Sequence, residues 1–401
     1  MAEFTEKAKR LSDSPKKRSL KLGKLLDLID EQGIDIDEIG RISSAGVHEV
    51  LYKDGDGEGH VETLRSIRFD PKWSDGPEWP VVQQSPPVKV TMRGGPRPRR
   101  SDGRLTALVL PDIQAGYFMD GSGQLRPTHD EAALDIVMQV AGMVPWTSAI
   151  MHGDNLDFPE LSGKFRLTPA FQQTTQATLD RYTQFGHQLR RLGGPEALIV
   201  HLAGNHEERL PNYILDNARA AFGLRRGRAT SNWPSEEDPV LSVPFLTRMD
   251  EWGGQFLPGY PASRYYINER LRVIHGHFVS KNATAMKYLD ESKHSTLFGH
   301  VHRREWLERT RDSAEGAQTV LAASFGCLCR IDGMVPSTRQ GVDLDGVPIT
   351  SYEDWQQGFG LVHYQPGDGA FSLEPIAIHE GVGYFRDIEV PARCTTEGEP
   401  L

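Results

Sequence analysis

Five short segments of this 401-residue chain place residues able to hold a cation or move a proton directly after apolar runs. Asp112-Ile113-Gln114 follows Leu105–Leu110. Gly153-Asp154-Asn155-Leu156-Asp157 follows Ser148–Met151, and Gly204-Asn205-His206-Glu207 follows Ala197–Leu202. Later runs deliver His275-Gly276-His277 and Gly299-His300-Val301-His302. Singly, each segment is ordinary: a strand-ending Asp turns the chain, Asn-His can be a turn, and an isolated His-x-His is more often structural than metallic. Jointly, in this order and always after an apolar run, turns do not explain them. They supply carboxylate, amide and imidazole groups to one place, with glycines that let backbones approach closely.

The elements that must carry these groups read as an α/β pattern from Leu105 onward. The runs at Leu105–Leu110, Ser148–Met151 and Ala197–Leu202 read as buried strands, because they are continuously apolar rather than alternating. Helical spacing over His129–Val144 and over residues 168–192 places helices between them. Further strands are expected at Tyr265–Ile267, Leu271–Ile274, Thr296–Phe298, Thr319–Ala323, Leu361–Tyr364 and Phe371–Ile376, forming a second, more antiparallel sheet packed on the first. Ligands in open α/β sheets bind beyond the carboxyl ends of the strands, where the five segments fall.

In these five blocks the chain resembles the calcineurin-like metallophosphoesterase superfamily. That family's pattern is Asp-x-His, Gly-Asp-x-x-Asp, Gly-Asn-His-Glu/Asp, a His near Gly, and Gly-His-x-His. The resemblance spans roughly residues 105–385 and implies a four-layer αββα sandwich with two divalent metal ions. By motif position, it implies one metal on Asp112, Gln114, Asp154 and His302, and a second on Asp154, Asn205, His275 and His300, with Asp154 bridging. It further implies hydrolysis of phosphate esters through a metal-activated hydroxide, with His206 as the general acid that donates to the phosphoryl or leaving oxygen. Oxygen and imidazole ligands suit Mn²⁺, Fe or Zn²⁺. Gln114 stands where the family pattern has His, and its neutral amide oxygen favours Mn²⁺ first, with Mg²⁺ also tolerated.

Neighbouring residues are candidates for supporting roles. His277 and Arg303 are candidate substrate contacts. Lys164, Arg166, Arg209 and Arg304 flank the same loops and could steer phosphate. Asp157 and Glu207 are expected to orient imidazoles from behind.

Upstream of the catalytic block, residues 1–70 are expected to form a small helical domain. Leu20, Leu22, Leu25, Leu26, Leu28 and Ile29 make an apolar helical face that Gly33 stops. Ile34, Ile36, Ile39 and Ile42 follow, and Ser44 is a candidate cap for a third helix through Val47, Val50 and Leu51. Three short helices with a glycine turn are compatible with a helix-turn-helix or with any small bundle. Residues 71–104 are crowded with proline and end in Arg97-Pro98-Arg99-Arg100, which reads as an extended basic linker. Residues 386–401 read as a polar tail.

Composition limits the function classes. The net charge is −10 and 38% of residues are hydrophobic, so the molecule is neither a basic coat protein nor a disordered chain. Charge is uneven: Met1–Lys24 holds eight Lys/Arg against three Asp/Glu, and Lys89–Arg104 holds six against one. Such segments are candidate footprints on DNA or RNA. No apolar run is long enough for a membrane span and the N-terminus has no signal-like core, so the expected setting is cytoplasmic without a membrane partner. Cys327, Cys329 and Cys394 read as reduced thiols, since a cysteine-based metal site needs further ligands nearby. The reading is therefore a metal-dependent phosphoesterase, with a nuclease-type phosphodiesterase ahead of a phosphomonoesterase acting on a small molecule or phosphoprotein. The alternative class is a non-catalytic binding module on this scaffold.

Overall fold

The computed structural model describes residues 40–53, 59–71, 103–163, 169–171, 173–227, 238–281, 283–313, 316–336 and 352–401. Two units, Met1–Thr91 and Met92–Leu401, divide the chain.

In the first unit, β1 (Gly40–Lys53) pairs antiparallel with β2 (Gly59–Pro71). This corrects the helical expectation for the segment around Val47, Val50 and Leu51. The cause is visible in the sequence. Val61, Thr63, Ile67 and Phe69 fall at period two, and Asp54-Gly55-Asp56-Gly57 between the strands is turn chemistry. A β-ribbon replaces the third expected helix here. The helices expected over Leu20–Ile39 and nearly all of the Pro/Arg-rich segment lie outside the described residues.

The second unit is mixed α/β. One sheet has eight strands in the order β17-β16-β15-β14-β3-β6-β7-β8. Its parallel part is β3 (Leu105–Leu110), β6 (Ser148–Met151), β7 (Leu198–Leu202) and β8 (Gly254–Leu257). Its antiparallel part is β14 (Gly358–Tyr364), β15 (Phe371–His379), β16 (Val382–Phe385) and β17 (Ile388–Pro391). The second sheet has five strands, β12 (Arg304–Ser313), β13 (Gly316–Phe325), β11 (Ser295–Phe298), β10 (Leu271–Ile274) and β9 (Tyr265–Asn268), in that order. Here β10, β11 and β13 run parallel, and only the two outer pairings are antiparallel. A small ribbon, β4 (Tyr117–Met119) with β5 (Leu125–Pro127), follows β3.

Side-chain alternation sorts the strands onto three apolar layers. On β3, Leu108 and Leu110 point to one core while Ala107 and Val109 point to another. On β6, Ala149 and Met151 take the first side and Ile150 the second. The first core is closed by α1 (Glu131–Met143), α2 (Thr175–Gly193) and α5 (Met249–Trp252), through Ile136, Val140, Tyr182, Phe185 and Trp252. The second core lies between the sheets, where Val109, Ile150 and Val200 meet Leu271, Val273 and Leu297. The third joins the outer face of the five-stranded sheet to α6 (Thr284–Glu291), through Phe298, Ala322, Tyr288 and Leu289. Two further short helices, α3 (Arg209–Asn217) and α4 (Val243–Leu246), lie between β7 and β8. Among the described residues no helix is long and apolar enough to cross a membrane.

Three expectations change. The second sheet is not the more antiparallel of the two: two of its four pairings are parallel, whereas four of the seven in the first are antiparallel. Leu361–Tyr364 and Phe371–Ile376 belong to the first sheet rather than the second: β14 pairs with β3 and is buried on both faces. Residues 386–401 are not a loose polar tail. Ile388–Pro391 forms the edge strand, Val390 and Ala392 are buried, and the Thr396 carbonyl accepts from Glu131 N.

Candidate metal centre

All five sequence blocks sit past the carboxyl ends of parallel strands. Asp112 and Gln114 follow β3, Asp154 follows β6, and Asn205 and His206 follow β7. His275 follows β10, and His300 and His302 follow β11. The loops are stitched together, with Gln114 N donating to the Asp154 carbonyl at 2.8 Å and His300 N donating to Asp112 Oδ1 at 3.0 Å. Asp112, Gln114, Asp154, His300 and His302 all have positive φ, between 42° and 70°. Left-handed backbone at a non-glycine residue costs on the order of 1–3 kcal/mol, so five such residues facing one point mark a site whose geometry is imposed by the surrounding fold.

Two overlapping groups of ligand atoms result, each within 4.8 Å: Asp154, His275 and His300 in one, Asp112, Asp154 and His302 in the other. Asp154 belongs to both. In the first, His275 Nε2 lies 3.2 Å from Asp154 Oδ2 and 3.1 Å from Asn205 Oδ1. In the second, His302 Nε2 lies 3.2 Å from Asp112 Oδ1, with the non-ligating amide nitrogen of Gln114 at 3.4 Å. Donors held ~2.1 Å from one ion at right angles stand ~3.0 Å apart, so both sets have the spacing of ligand edges. Gln114 Oε1 is buried and has no hydrogen-bond partner, which a cation would supply. A Cβ at Gly204 would strike Asp154 Oδ1, and one at Gly299 would strike Asp112 Oδ2, so the carboxylates depend on bare backbone beside them. The donor set therefore fits two divalent cations.

Electrostatics agree. Burial opposes charge on His275, but Asp154 and Asp112 outweigh it and raise the imidazole to about 9. Burial likewise opposes charge on His302, and Asp112 raises it. Asp154 stays ionised well below the carboxylate range despite burial, held there by His206 and His275. His300 moves the other way, to about 4, because burial and the His275 charge both favour its neutral form. Without metal, a proton on His275 offsets carboxylate charge at neutral pH; a cation would take its place.

Surrounding groups fix the ligands. His275 Nδ1 meets the His152 carbonyl at 3.0 Å, which turns Nε2 toward Asp154. His206 Nδ1 lies 3.0 Å from Asp157 Oδ1, and its Nε2 lies 3.5 Å from Asp154 Oδ2. Asp157 thus stands beside His206 as its charged partner. Glu207 does something different from the expected imidazole contact with a ligand. It is a loop clamp, accepting from the backbone N–H groups of Asp154, Asn155, Leu156 and Gly204 at 2.7–3.2 Å and pairing with His201 at 3.2 Å.

Of the remaining candidates, Arg209 reaches a group beside the centre, its Nη1 3.5 Å from Asp157 Oδ1. His277 is exposed, and its ring packs at a 44° tilt against Phe278 with centroids 4.2 Å apart. Arg303 donates to the Ser280 carbonyl at 2.8 Å, and Arg209 donates to the Asp157 carbonyl. Arg304 is exposed, and Lys164 and Arg166 lie outside the described residues. His152 and Trp355 are absent from the sequence reading, which takes Cys329 only as a reduced thiol. His152 is buried and held neutral, at about 4, mainly by burial. Its place immediately before Gly153-Asp154 was the available signal. Trp355 sits edge-on to His302, with centroids 4.1 Å apart, and Cys329 Sγ lies 3.8 Å from His302 Nδ1. Neither carried a local cue.

No family model matches the chain. No curated protein matches it. Among solved structures it is similar to a 5'-nucleotidase precursor from Thermus thermophilus, at 13% identity and a TM-score of 0.26, covering 69% of this chain and 54% of that one. The chain thus spans about half the length of that protein, and so slight a likeness adds no weight to the residues themselves. What the residues themselves show is a buried Asp/His cluster at the strand ends of a mixed α/β scaffold, with the spacing of a metal site.

Proposed function

We propose that the protein is a dinuclear metallophosphoesterase on an αββα sandwich, acting on phosphate esters and first of all on phosphodiesters of DNA or RNA. The observation that carries this reading is Asp154, one buried carboxylate shared by two ligand groups. Two divalent ions bound there, Mn²⁺ by preference, would supply Lewis-acid stabilisation and a nucleophile at neutral pH. Asp112, Gln114 and His302 would hold one ion, and Asn205, His275 and His300 the other, with Asp154 between them.

The protein's own groups do the rest. The His152 carbonyl presents the His275 Nε2 lone pair by taking the Nδ1 proton into a hydrogen bond. Asp157 stands beside one His206 nitrogen, leaving Nε2, 3.5 Å from Asp154 Oδ2, to carry a proton to a leaving oxygen. An alkoxide leaving group, as in a nucleic-acid diester, needs that proton more than an activated aryl oxide does. The basic segments Met1–Lys24 and Lys89–Arg104 favour a polyanionic substrate over a small one.

The test is a hydrolysis panel with Mn²⁺-loaded protein: a chromogenic monoester, a chromogenic diester, single-stranded DNA, duplex DNA and RNA. Turnover of the diester and of at least one nucleic acid is expected. Good monoester turnover with no cleavage of any nucleic acid would move the assignment to a phosphomonoesterase. No turnover of any substrate would leave the scaffold as a binding module.

A further inference from the structure

Cys327 and Cys329 are fully buried, and the structure supplies the third ligand that their spacing alone lacks. Their sulfurs and a nitrogen of His302 all lie within 4.8 Å of one another. Cys329 Sγ is 3.8 Å from His302 Nδ1, while His302 Nε2 faces Asp112 at 3.2 Å. The imidazole therefore stands between two unlike donor sets, carboxylate and amide on one side and two thiols on the other. For sulfur at ~2.3 Å and nitrogen at ~2.0–2.1 Å from a metal, a separation of ~3.8 Å corresponds to a trigonal angle. Val335, Ile331 and Trp355 wall the thiols with apolar surface. An ordinary core pair of thiols has no reason to meet a histidine that also faces a buried carboxylate.

We propose that Cys327, Cys329 and His302 Nδ1 form a site for one thiophilic divalent cation of the zinc–cadmium type, and that its occupation competes for His302 with the harder metal site at Asp112 and Gln114. On binding, each thiol loses its proton to solvent as its sulfur–metal bond forms, and Nδ1 contributes its lone pair. His302 must then carry its remaining proton on Nε2, which removes that nitrogen from Asp112's metal. Soft sulfur donors select zinc or cadmium over manganese, so the two sides sort cations by softness. The cysteine site stands without the hydrolase reading, and only the competition for His302 rests on it.

The experiment uses the full chain, stripped with chelator and reduced, titrated with Cd²⁺ while thiolate-to-metal charge-transfer absorption is recorded. Cys394, which lies outside the site, is replaced in a Cys394→Ser control. One equivalent of Cd²⁺ should develop the band in wild type, in Cys394→Ser and in Asp154→Asn, the last showing independence from the shared carboxylate. Cys327→Ser/Cys329→Ser should abolish the band, and His302→Asn should weaken Cd²⁺ binding at least tenfold. If the double variant does not fold by circular dichroism, Cys329→Ala alone should still lose half or more of the band. Added Mn²⁺ should weaken wild-type Cd²⁺ binding severalfold. No band in wild type, a band that survives loss of Cys327 and Cys329, or Cd²⁺ affinity indifferent to both His302→Asn and Mn²⁺ would overturn the proposal.

Discussion

The two halves of the cluster share Asp154 but orient their histidines by different means. His275 is backed by a backbone carbonyl at 3.0 Å, and Asn205 and His300 stand beside it. His302 is backed by a thiol at 3.8 Å, and its neighbour is the neutral amide of Gln114. A carbonyl is a strong acceptor that fixes a tautomer; a thiol is a weak one. The first half should hold its cation more tightly, and the second should be the half that loses metal and shows metal preference. A carboxylate common to two donor groups need not make them equivalent, because the groups behind the donors set their strength.

The largest effect should come from breaking both halves together. Asp154→Asn should empty the centre and cut turnover by more than the ~10–100-fold that an outer partner costs. Metal analysis and diester hydrolysis on the same sample check this. Next, His206→Asn should leave both halves loaded but slow a poor leaving group by ~10²–10⁴-fold, with a much smaller loss on an activated aryl ester. Comparing the two substrates separates a proton donor from a ligand.

Gln114→His makes the halves more alike. Zn²⁺ affinity of the weaker half should rise about tenfold or more, since imidazole suits zinc better than an amide oxygen does. Competitive titration with a zinc chelator measures it. The stronger half has its own signature in pH. His275 titrates at about 9 in the metal-free protein, so at neutral pH it carries a proton that metal must displace. Mn²⁺ affinity there should rise with pH toward 9 and level off above, with proton release on loading. In the metal-free protein, the stability that the raised His275 value contributes is present below its unfolded value near 6.5. It is lost as pH rises through 9, so cation and proton substitute for each other.

The smallest expected change in chemistry, though not in stability, is at the clamp. Glu207→Gln keeps an oxygen acceptor for the loop N–H groups but removes the charge opposite His201. It should cost about 2–3 kcal/mol by thermal unfolding while leaving metal stoichiometry intact.

That these residues converge was legible because each block follows an apolar run, and strand ends in α/β sheets are where ligands gather. The limits of three strands, Leu105–Leu110, Ser148–Met151 and Leu271–Ile274, could be read from continuous burial. Other features left no local trace. Arg304–Ser313 is a long strand but mostly polar, because one face is solvated, so no apolar run announces it. The sheet to which β14 belongs is decided by its pairing with β3 across some 250 residues, which composition cannot show. The thiols behind His302 and the carbonyl behind His275 are likewise tertiary facts. At Gly59–Pro71 the information was present, in the period-two alternation of Val61, Thr63, Ile67 and Phe69, but in its partner strand Val47, Val50 and Leu51 fall at helical spacing.

The central claim is a two-metal hydrolytic centre bridged by Asp154. Its most direct test is the rate of chromogenic diester hydrolysis by chelator-stripped protein as Mn²⁺ is added back in measured equivalents. The account predicts no turnover without metal, recovery that completes near two ions per chain, and no recovery in Asp154→Asn. Two bound ions with no turnover, or equal recovery in wild type and Asp154→Asn, would contradict it.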